Sequence, residues 1–228
     1  MNGIRTTLIL HFVIFTMPLY ISQLKGPFVL FGNGEIPIHN IPIKILKSAG
    51  TILCIDGGAD KLVDLGLHPN LILGDMDSLS FARESYNCEL INLMDQSKTD
   101  LEKSLDWCCE NGITELSLVG CSGEQDDHNM AALWTVVSYY KKMKLIFYSN
   151  YSKIKCVKGD AKIGSFPGQT ISIIPAKDNV EVNADGLKYP INKSILEPPS
   201  FGTRNSVIGD HFSIQTTGPV WVFLNYTE

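Results

Sequence analysis

Six short apolar runs alternate with amphipathic segments along the first two thirds of the chain. The runs are too short to be helices and are apolar at nearly every position, which is typical of strands buried on both faces of a parallel sheet. Each run ends at a polar or glycine-containing turn. The predicted strands are Pro27–Phe31, Thr51–Ile55, Leu71–Leu73, Glu89–Leu93, Glu115–Val119 and Lys144–Tyr148.

Three segments with helical spacing lie between these runs, at Ala59–Leu65, Thr99–Glu110 and His128–Lys142. The second opens with a capping-box pattern, in which Thr99 caps the helix and Glu102 bonds back to it. This alternation predicts an α/β fold with a doubly wound, mostly parallel sheet. In such sheets, ligands bind at the carboxyl ends of the strands.

The pattern changes after about residue 150, where no strong helical period remains. Short strands separated by turn residues are predicted at Ile163–Pro175, Val180–Asn183, Phe212–Thr216 and Val220–Tyr226. We therefore expect an α/β domain over residues 26–150 and a small all-β sandwich domain over residues 151–228.

The first 25 residues form an apolar N-terminal extension. Its apolar stretch resembles a signal peptide or a short anchor, but it has no clean small-x-small cleavage site and is marginal for a membrane span. A signal or anchor, an ordered appendage and a non-native translation start all stay open. Membrane contact is expected only if the segment is an anchor, and a cytoplasmic protein is expected otherwise.

Charge and cysteine content narrow the function classes. A net charge of −5 argues against binding to a nucleic-acid backbone, which needs a basic surface. The six cysteines form no C-x-x-C pair, so we interpret them as reduced and mostly buried thiols rather than zinc ligands. No G-x-x-x-x-G-K-[ST] sequence is present, which excludes a P-loop enzyme.

Asp75 and Asp77 directly follow the third predicted strand. Side chains two residues apart on an extended segment lie on the same face, so the two carboxylates could share one cation. Mg²⁺ is the cation that typically takes one or two carboxylates together with substrate phosphates. An acidic turn without a metal is the competing interpretation.

Other polar residues fall on the same predicted edge of the sheet. Asp100 stands at a helix start, where the helix dipole alone would favour it. Asp127 and His128 follow a glycine-containing turn, and His128 is either a base or a structural residue. Because strand-end turns meet at one edge, the set predicts Mg²⁺ and a phosphorylated ligand, with phosphoryl-type transfer.

Five short motifs occur in order along the chain: Cys-x-Asp-Gly-Gly-Ala-Asp at 54–60, Gly-Asp-Met-Asp-Ser at 74–78, Asp-Gln-x-x-Thr-Asp at 95–100, Gly-x-x-Gly-x-x-x-Asp-His at 120–128 and Gly-Thr-x-Asn at 202–205. Together with Trp221 near the C-terminus, they resemble thiamine pyrophosphokinase. The resemblance extends from about Pro27 to Tyr226 and implies a nucleotide-binding α/β domain, a thiamine-binding β-sandwich and a homodimer with shared sites.

The resemblance also implies Mg²⁺-dependent pyrophosphate transfer from ATP to the hydroxyl of thiamine, with release of AMP. In this chain Asp75, Asp77 and Asp100 would hold Mg²⁺, and Asp127 would lie near the metal and the reacting hydroxyl. The ATP side would be lined by Asp56, Gly57, Gly58 and Thr99. Thiamine would be contacted by Gln96, Asn205 and Trp221, the last by stacking from the other subunit.

Two positions depart from the family pattern. Gln125 stands where an Arg is common, and Arg204 stands where a Ser is common. The first departure leaves open a thiamine- or nucleotide-binding homologue with impaired catalysis. A phosphatase with a D-x-D nucleophile is a further alternative, although its motif would follow the first core strand rather than the third.

Overall fold

A parallel sheet forms the first part of the fold, with six strands in the order β6-β5-β1-β2-β3-β4. The computed structural model describes residues 23–80, 86–123 and 125–226. All five strand pairs of this sheet are parallel, which confirms the predicted α/β class. The strands are β1 Phe28–Phe31, β2 Thr51–Ile55, β3 Leu71–Gly74, β4 Glu89–Asn92, β5 Glu115–Val119 and β6 Lys144–Tyr148.

Helices cover both faces of the sheet. They are α1 Asn40–Lys47, α2 Gly58–Asp64, α3 Asp100–Glu110 and α4 Asp126–Tyr139. Alternate strand residues face opposite sides, so Leu30 packs in the core that contains α3 and α4, whereas Val29 and Phe31 pack in the core that contains α1 and α2. This double coverage explains why the strands are apolar at nearly every position.

The chain reverses its direction of travel across the sheet between β1 and β5. Strands β1 to β4 are added towards one edge, and the chain then returns to place β5 beside β1 and β6 beyond it. The loops after β1 and β5 therefore diverge from adjacent strands to opposite faces. Such a switch point opens a crevice at the carboxyl ends of the strands.

A β-rich part follows and is joined to the sheet by antiparallel pairing of β6 with β7. The long strand β12 pairs with β7 along its length, with β9 near its start and with β8 near its end. These strands enclose a separate apolar core. They are β7 Ser152–Gly164, β8 Thr170–Pro175, β9 Glu181–Asp185, β10 Ile191–Ile195, β11 Asn205–Ser206 and β12 His211–Asn225, with a short 3₁₀ helix at Pro199–Gly202.

The pattern of apolar residues predicted the elements of the α/β part more accurately than those of the β-rich part. The six strands and three predicted helices of the α/β part are confirmed to within a few residues, but α1 was not predicted. The predicted strand Ile163–Pro175 is wrong as a single element, because a turn at residues 165–169 separates β7 from β8. The first eleven residues of β7 were not predicted, because polar residues are interspersed along this strand. The predicted strands Phe212–Thr216 and Val220–Tyr226 form one strand, β12, whose register is irregular between Thr216 and Val220.

The predicted apolar stretch at Thr6–Ser22 lies outside the described residues. Within residues 23–80, 86–123 and 125–226, no helix is both long and apolar enough to cross a membrane. The six cysteines are free thiols, as expected, but only Cys54 and Cys108 are fully buried.

The capping box of α3 provides a test of local structure. The Thr99 hydroxyl accepts from the backbone N–H of Glu102 at 3.3 Å, and the Glu102 carboxylate accepts from the Thr99 N–H at 3.0 Å. We expect Thr99→Ala to lower the free energy of unfolding by about 1 kcal/mol. Urea unfolding followed by circular dichroism would measure this, with Thr99→Ser as the variant that keeps the hydroxyl. An unchanged urea midpoint for Thr99→Ala would contradict it.

Candidate active site

Two glycine-containing loops meet at the switch point of the sheet. The N–H of Gly34 donates to the carbonyl of Gly120 at 2.7 Å, and the N–H of Glu35 donates to the carbonyl of Ser122 at 2.6 Å. A Cβ on Gly34 would lie 2.4 Å from the Ser122 oxygen, so only glycine permits this approach. The hydrogen bonds hold the loops after β1 and β5 together as one floor.

A pocket of about 370 Å³ lies on this floor. Its walls come from the loops after β1 and β5, the end of β2, the start of α3 and the first three turns of α4. Backbone N–H groups at the start of α4 favour an anion there. The lining residues are Gly32, Asn33, Gly34, Ile55, Thr99, Asp100, Leu101, Cys121, Ser122, Gly123, Gln125, His128, Ala131, Ala132 and Thr135.

Three carboxylates converge beside the pocket, at the ends of β2 and β3. One oxygen each from Asp56, Asp75 and Asp77 lies within 4.8 Å of the others. Asp56 follows β2, and the other two follow β3, which is the neighbouring parallel strand. The predicted proximity of Asp75 and Asp77 is therefore present, and Asp56 joins them.

Asp56 is held in an unfavourable environment for a negative charge. It is buried, its backbone φ is +40°, and its Oδ1 atom has no hydrogen-bond partner among the described residues. Burial, with the added charges of Asp75 and Asp77, raises the pKa of Asp56 to about 6, although hydrogen bonds with Ser78 partly oppose this. A cation bound to this oxygen would remove the cost of ionisation.

Among the described residues, Lys103 forms an ion pair with one member of this cluster. Its Nζ atom lies 2.6 Å from Oδ1 of Asp100 and 3.8 Å from Oδ2 of Asp75, and its side chain is only 4% exposed. Desolvation raises the pKa of Asp75, but a backbone hydrogen bond at Asp77 and the charge of Lys103 outweigh it, so the pKa lies below its usual range. The amine therefore links the loop after β3 to the start of α3.

Sequence reasoning missed Lys103. The available signal was its place three residues after Asp100, on the face of α3 that also carries the buried residues Ser104 and Trp107. A lysine is rarely buried without a partner, so a lysine on a buried helix face next to acidic turns indicates a charge that these turns require.

The structure separates the predicted metal ligands into two groups. Asp75 and Asp77 lie in the carboxylate cluster, whereas Asp100 lines the pocket and pairs with Lys103. Gln96 reaches Asp75, with 3.5 Å between Nε2 and Oδ2. The assignment of Asp100 to the metal stays a prediction.

The other predicted residues of the ATP side have distinct positions. Thr99 lines the pocket, but Gly57 and Gly58 are buried beneath it. A Cβ on Gly57 would lie 2.8 Å from the Asn33 side chain, and one on Gly58 would lie 2.7 Å from the Gly32 oxygen. These two glycines let the turn after β2 pass under the loop after β1, and their contact with ATP stays a prediction.

Asp127 lies in the exposed first turn of α4, between Gln125 and His128, which both line the pocket. Its carboxylate accepts from the backbone N–H of His128 at 2.9 Å. Asp127 therefore stands at the rim of the pocket rather than within the cluster of Asp56, Asp75 and Asp77.

The two predicted thiamine contacts in the β-rich part have partners within the chain. Trp221 is buried, its indole N–H donates to the carbonyl of Leu133 at 3.0 Å, and its ring meets Trp134 edge-on at 4.6 Å. The Asn205 amide bonds to the backbone N–H and carbonyl of Tyr189. Their contact with thiamine stays a prediction.

The carboxylate cluster fits a hard divalent cation. All three groups offer oxygen ligands, and Mg²⁺ binds through one or two carboxylates plus substrate phosphates. The unpartnered oxygen of Asp56 is a buried acceptor that a cation would satisfy. The adjoining pocket, with its anion-favouring helix N-terminus, leaves room for phosphates.

Comparison with known proteins identifies both parts of the chain. Residues 43–148 match the thiamin pyrophosphokinase catalytic domain, and residues 153–221 match the thiamin pyrophosphokinase vitamin B1 binding domain. Thiamin pyrophosphokinase 1 of Caenorhabditis elegans is 26% identical over 181 residues, which cover 72% of this chain and 74% of that protein. Thiamine pyrophosphokinase of Bacillus subtilis is 28% identical over 149 residues, which cover 60% of this chain and 69% of that protein.

Solved structures share the fold. The thiamin pyrophosphokinase of Candida albicans superposes with a TM-score of 0.75 at 18% identity, covering 91% of this chain and 90% of that one. That of Bacillus subtilis superposes with a TM-score of 0.73 at 19% identity, covering 88% of this chain and 98% of that one. The ordered motifs, the two domain matches and the shared fold agree, and the chain belongs to the thiamine pyrophosphokinase family.

Proposed function

We propose that this chain transfers the diphosphate group of ATP to the hydroxyl of thiamine in a Mg²⁺-dependent reaction. The observation that carries the proposal is the convergence of Asp56, Asp75 and Asp77 beside a pocket at the switch point of the sheet. The thiamine oxygen forms a bond to the β-phosphorus of ATP. The bond that breaks joins this phosphorus to the oxygen that bridges it to the α-phosphorus. AMP leaves with the bridging oxygen, and the hydroxyl proton is released.

The carboxylates of Asp75 and Asp77, with Asp56, are the residues that would hold Mg²⁺. When bound, the cation offsets the charge of the phosphates during transfer. The fold positions these carboxylates, because Asp56 and the Asp75–Asp77 turn follow adjacent parallel strands. The ion pair between Lys103 and Asp75 also links this turn to α3.

The pocket between the loops after β1 and β5 is the proposed ATP site. Its glycine-rich floor allows close approach of a ligand, and Thr99 and the start of α4 lie at its wall. Gly57 and Gly58 pass under this floor, where a Cβ on either residue would collide with Asn33 or Gly32, and Asp56 precedes them in the same turn. Gln125 replaces the Arg that is common in the family, so phosphate binding would depend on backbone N–H groups and Mg²⁺ rather than on that side chain.

The thiamine side is proposed from the resemblance and the two-domain match. Gln96 lies within 3.5 Å of Asp75 and would contact thiamine next to the metal, with Asp127 near the reacting hydroxyl. Asn205 and Trp221 would come from the partner subunit of a homodimer. Trp221 would need its indole face, now next to Trp134, to become available to the thiamine ring.

The direct test is product formation with full-length protein, ATP, Mg²⁺ and thiamine. We expect thiamine diphosphate and AMP in equal amounts, and neither product without Mg²⁺. Asp75→Asn should lower the rate by about a thousandfold, because it removes a ligand of the charge-neutralising cation. Asp178→Asn, an exposed acid in the β-rich part, is the matched control and should retain activity.

Chromatographic measurement of both products distinguishes the alternatives. Thiamine binding without turnover would indicate a homologue that has lost catalysis. Full activity of Asp75→Asn would remove the carboxylate cluster from the mechanism, even if the reaction itself is observed.

The raised pKa of Asp56 predicts a pH-dependent stability in metal-free protein. Between about pH 4 and pH 6, Asp56 ionises more readily in the unfolded state than in the folded state, so the free energy of unfolding of the wild type falls as the pH rises. Asp56→Asn, which cannot ionise, should therefore be more stable than the wild type at pH 8. We expect a gain of the order of 1 kcal/mol that shrinks towards pH 4. Urea unfolding in EDTA measures it, and a gain that is equal at both pH values would contradict the assignment.

Lys103 yields a separate prediction. Lys103→Met leaves Asp75 and Asp100 without their shared cation, so we expect a loss of about 1–2 kcal/mol in metal-free protein. Mg²⁺ should restore more stability to this variant than to the wild type, because it supplies the missing positive charge. Thermal unfolding with and without Mg²⁺ measures the difference, and Lys103→Arg is the charge-conserving control. Equal Mg²⁺ effects in all three proteins would show that Lys103 does not balance this cluster.

A further inference from the structure

The loop after β3 carries two of the three carboxylates of the cluster on backbone that is neither helix nor strand. The structure describes residues 75–80 of this loop and Tyr86 near its end, and Asp75 and Asp77 lie at its beginning. Irregular backbone does not by itself fix the direction of a side chain, so a precise site needs supporting contacts from the rest of the fold. The contacts of this loop therefore determine whether the three carboxylates meet.

The three carboxylates are not held equally. Asp56 is buried at the end of β2, and Asp75 pairs with the buried Lys103. Asp77 is exposed, and its carboxylate accepts from the hydroxyl of Ser78, in the same turn, at 2.9 Å. The position of Asp77 therefore depends on the path of the loop more than the positions of the other two do.

Met76 holds the loop at a point before Asp77. Its side chain is 8% exposed and lies in the core that contains α1 and α2. Its backbone φ of +69° lies in the left-handed region, so the chain turns sharply between the two carboxylates. This contact fixes the loop on one side of Asp77 only.

Asp60, in the first turn of α2, supplies the contacts on the other side of Asp77. Its Oδ2 atom accepts from the backbone N–H of Ser80 at 3.0 Å, and its Oδ1 atom accepts from the hydroxyl of Tyr86. Tyr86 is 4% exposed and packs in the same core as Met76. One side chain thus holds the loop at two points after Asp77.

The turn after β2 gives Asp60 this position. Asp56 directly follows β2 and belongs to the cluster, and α2 begins two residues later at Gly58. Ser78 hydrogen-bonds to Asp56, and Ser80 hydrogen-bonds to Asp60. The short segment that supplies one carboxylate of the cluster therefore also holds the loop that supplies the other two.

A favourable interaction with the helix dipole is the competing explanation for Asp60. An acidic residue in the first turn of a helix is stabilised by the dipole without any further partner. That explanation needs only a negative charge, whereas the hydrogen bonds to the loop need two polar atoms in the right places. An asparagine provides the atoms without the charge, because its oxygen accepts from Ser80 and its NH₂ group donates to the hydroxyl of Tyr86.

We propose that Asp60 is a positioning residue for the metal, and that it holds the loop after β3 so that the three carboxylates of the cluster share one cation. Asp60 is not itself a ligand, because both of its oxygens accept hydrogen bonds from this loop. The proposal rests on the Mg²⁺ site of the proposed function, but it does not rest on the transfer to thiamine.

Isothermal titration of Mg²⁺ into metal-free, substrate-free full-length protein tests this proposal. Asp60→Ala removes the charge and both hydrogen bonds, whereas Asp60→Asn removes the charge and keeps both bonds. Asp64→Ala is the matched control, since it removes the same charge from an exposed position of the same helix. Tyr86→Phe removes the hydroxyl and keeps the ring in the core. Urea unfolding in EDTA verifies that each variant folds.

We expect Asp60→Ala to bind Mg²⁺ about tenfold more weakly than the wild type, and Asp60→Asn and Asp64→Ala to stay within about twofold of it. Tyr86→Phe should lie between these, because the bond from Ser80 to Asp60 remains. The Mg²⁺ concentration that gives half of the maximal rate should rise in the same order.

An unchanged Mg²⁺ affinity in Asp60→Ala, or in Tyr86→Phe if Asp60→Ala does not fold, would overturn the proposal and leave the proposed reaction intact. Equal weakening in Asp60→Ala and Asp60→Asn would also overturn it, because the effect would then belong to the charge. The absence of Mg²⁺ binding to the wild type would overturn it as well. Asp60-dependent Mg²⁺ binding without formation of thiamine diphosphate would support the positioning role and contradict the proposed function.

Discussion

Parallel pairing of β1 with both β2 and β5 is the constraint on which the candidate site depends. It places the ends of all these strands at one edge of the sheet and makes their loops leave towards opposite faces. The glycines at 32, 34, 57 and 58 then allow the loops to pass within hydrogen-bonding distance of one another. The pocket and the carboxylate cluster are both products of this crowded edge.

The second constraint is charge balance. The close approach of Asp56, Asp75 and Asp77 costs electrostatic free energy, because their charges repel one another and add to the burial that raises the pKa of Asp56. Lys103 offsets part of this cost through Asp75 and is itself kept in place by Asp100. Among the described residues, only Lys103 forms an ion pair with a member of the cluster, so a divalent cation bound to the three carboxylates would add to the stability of the fold.

Local sequence pattern is sufficient to predict the α/β class, most strands of the parallel sheet, the capped start of α3 and the proximity of Asp75 to Asp77. These follow from periodicity, from turn chemistry and from the two-residue spacing of an extended strand. Five ordered motifs are also sufficient to indicate the family. Local pattern is less informative for β7, because four lysines and one aspartate spread along the strand resemble a polar loop.

Which charges meet, by contrast, depends on how the elements pack. Asp56 lies 19 positions before Asp75, and Lys103 lies 28 positions after it, so their grouping follows from strand order and helix packing rather than from spacing. Sequence patterns report the neighbours of a residue within one element, whereas electrostatic partners are selected by the contacts between elements.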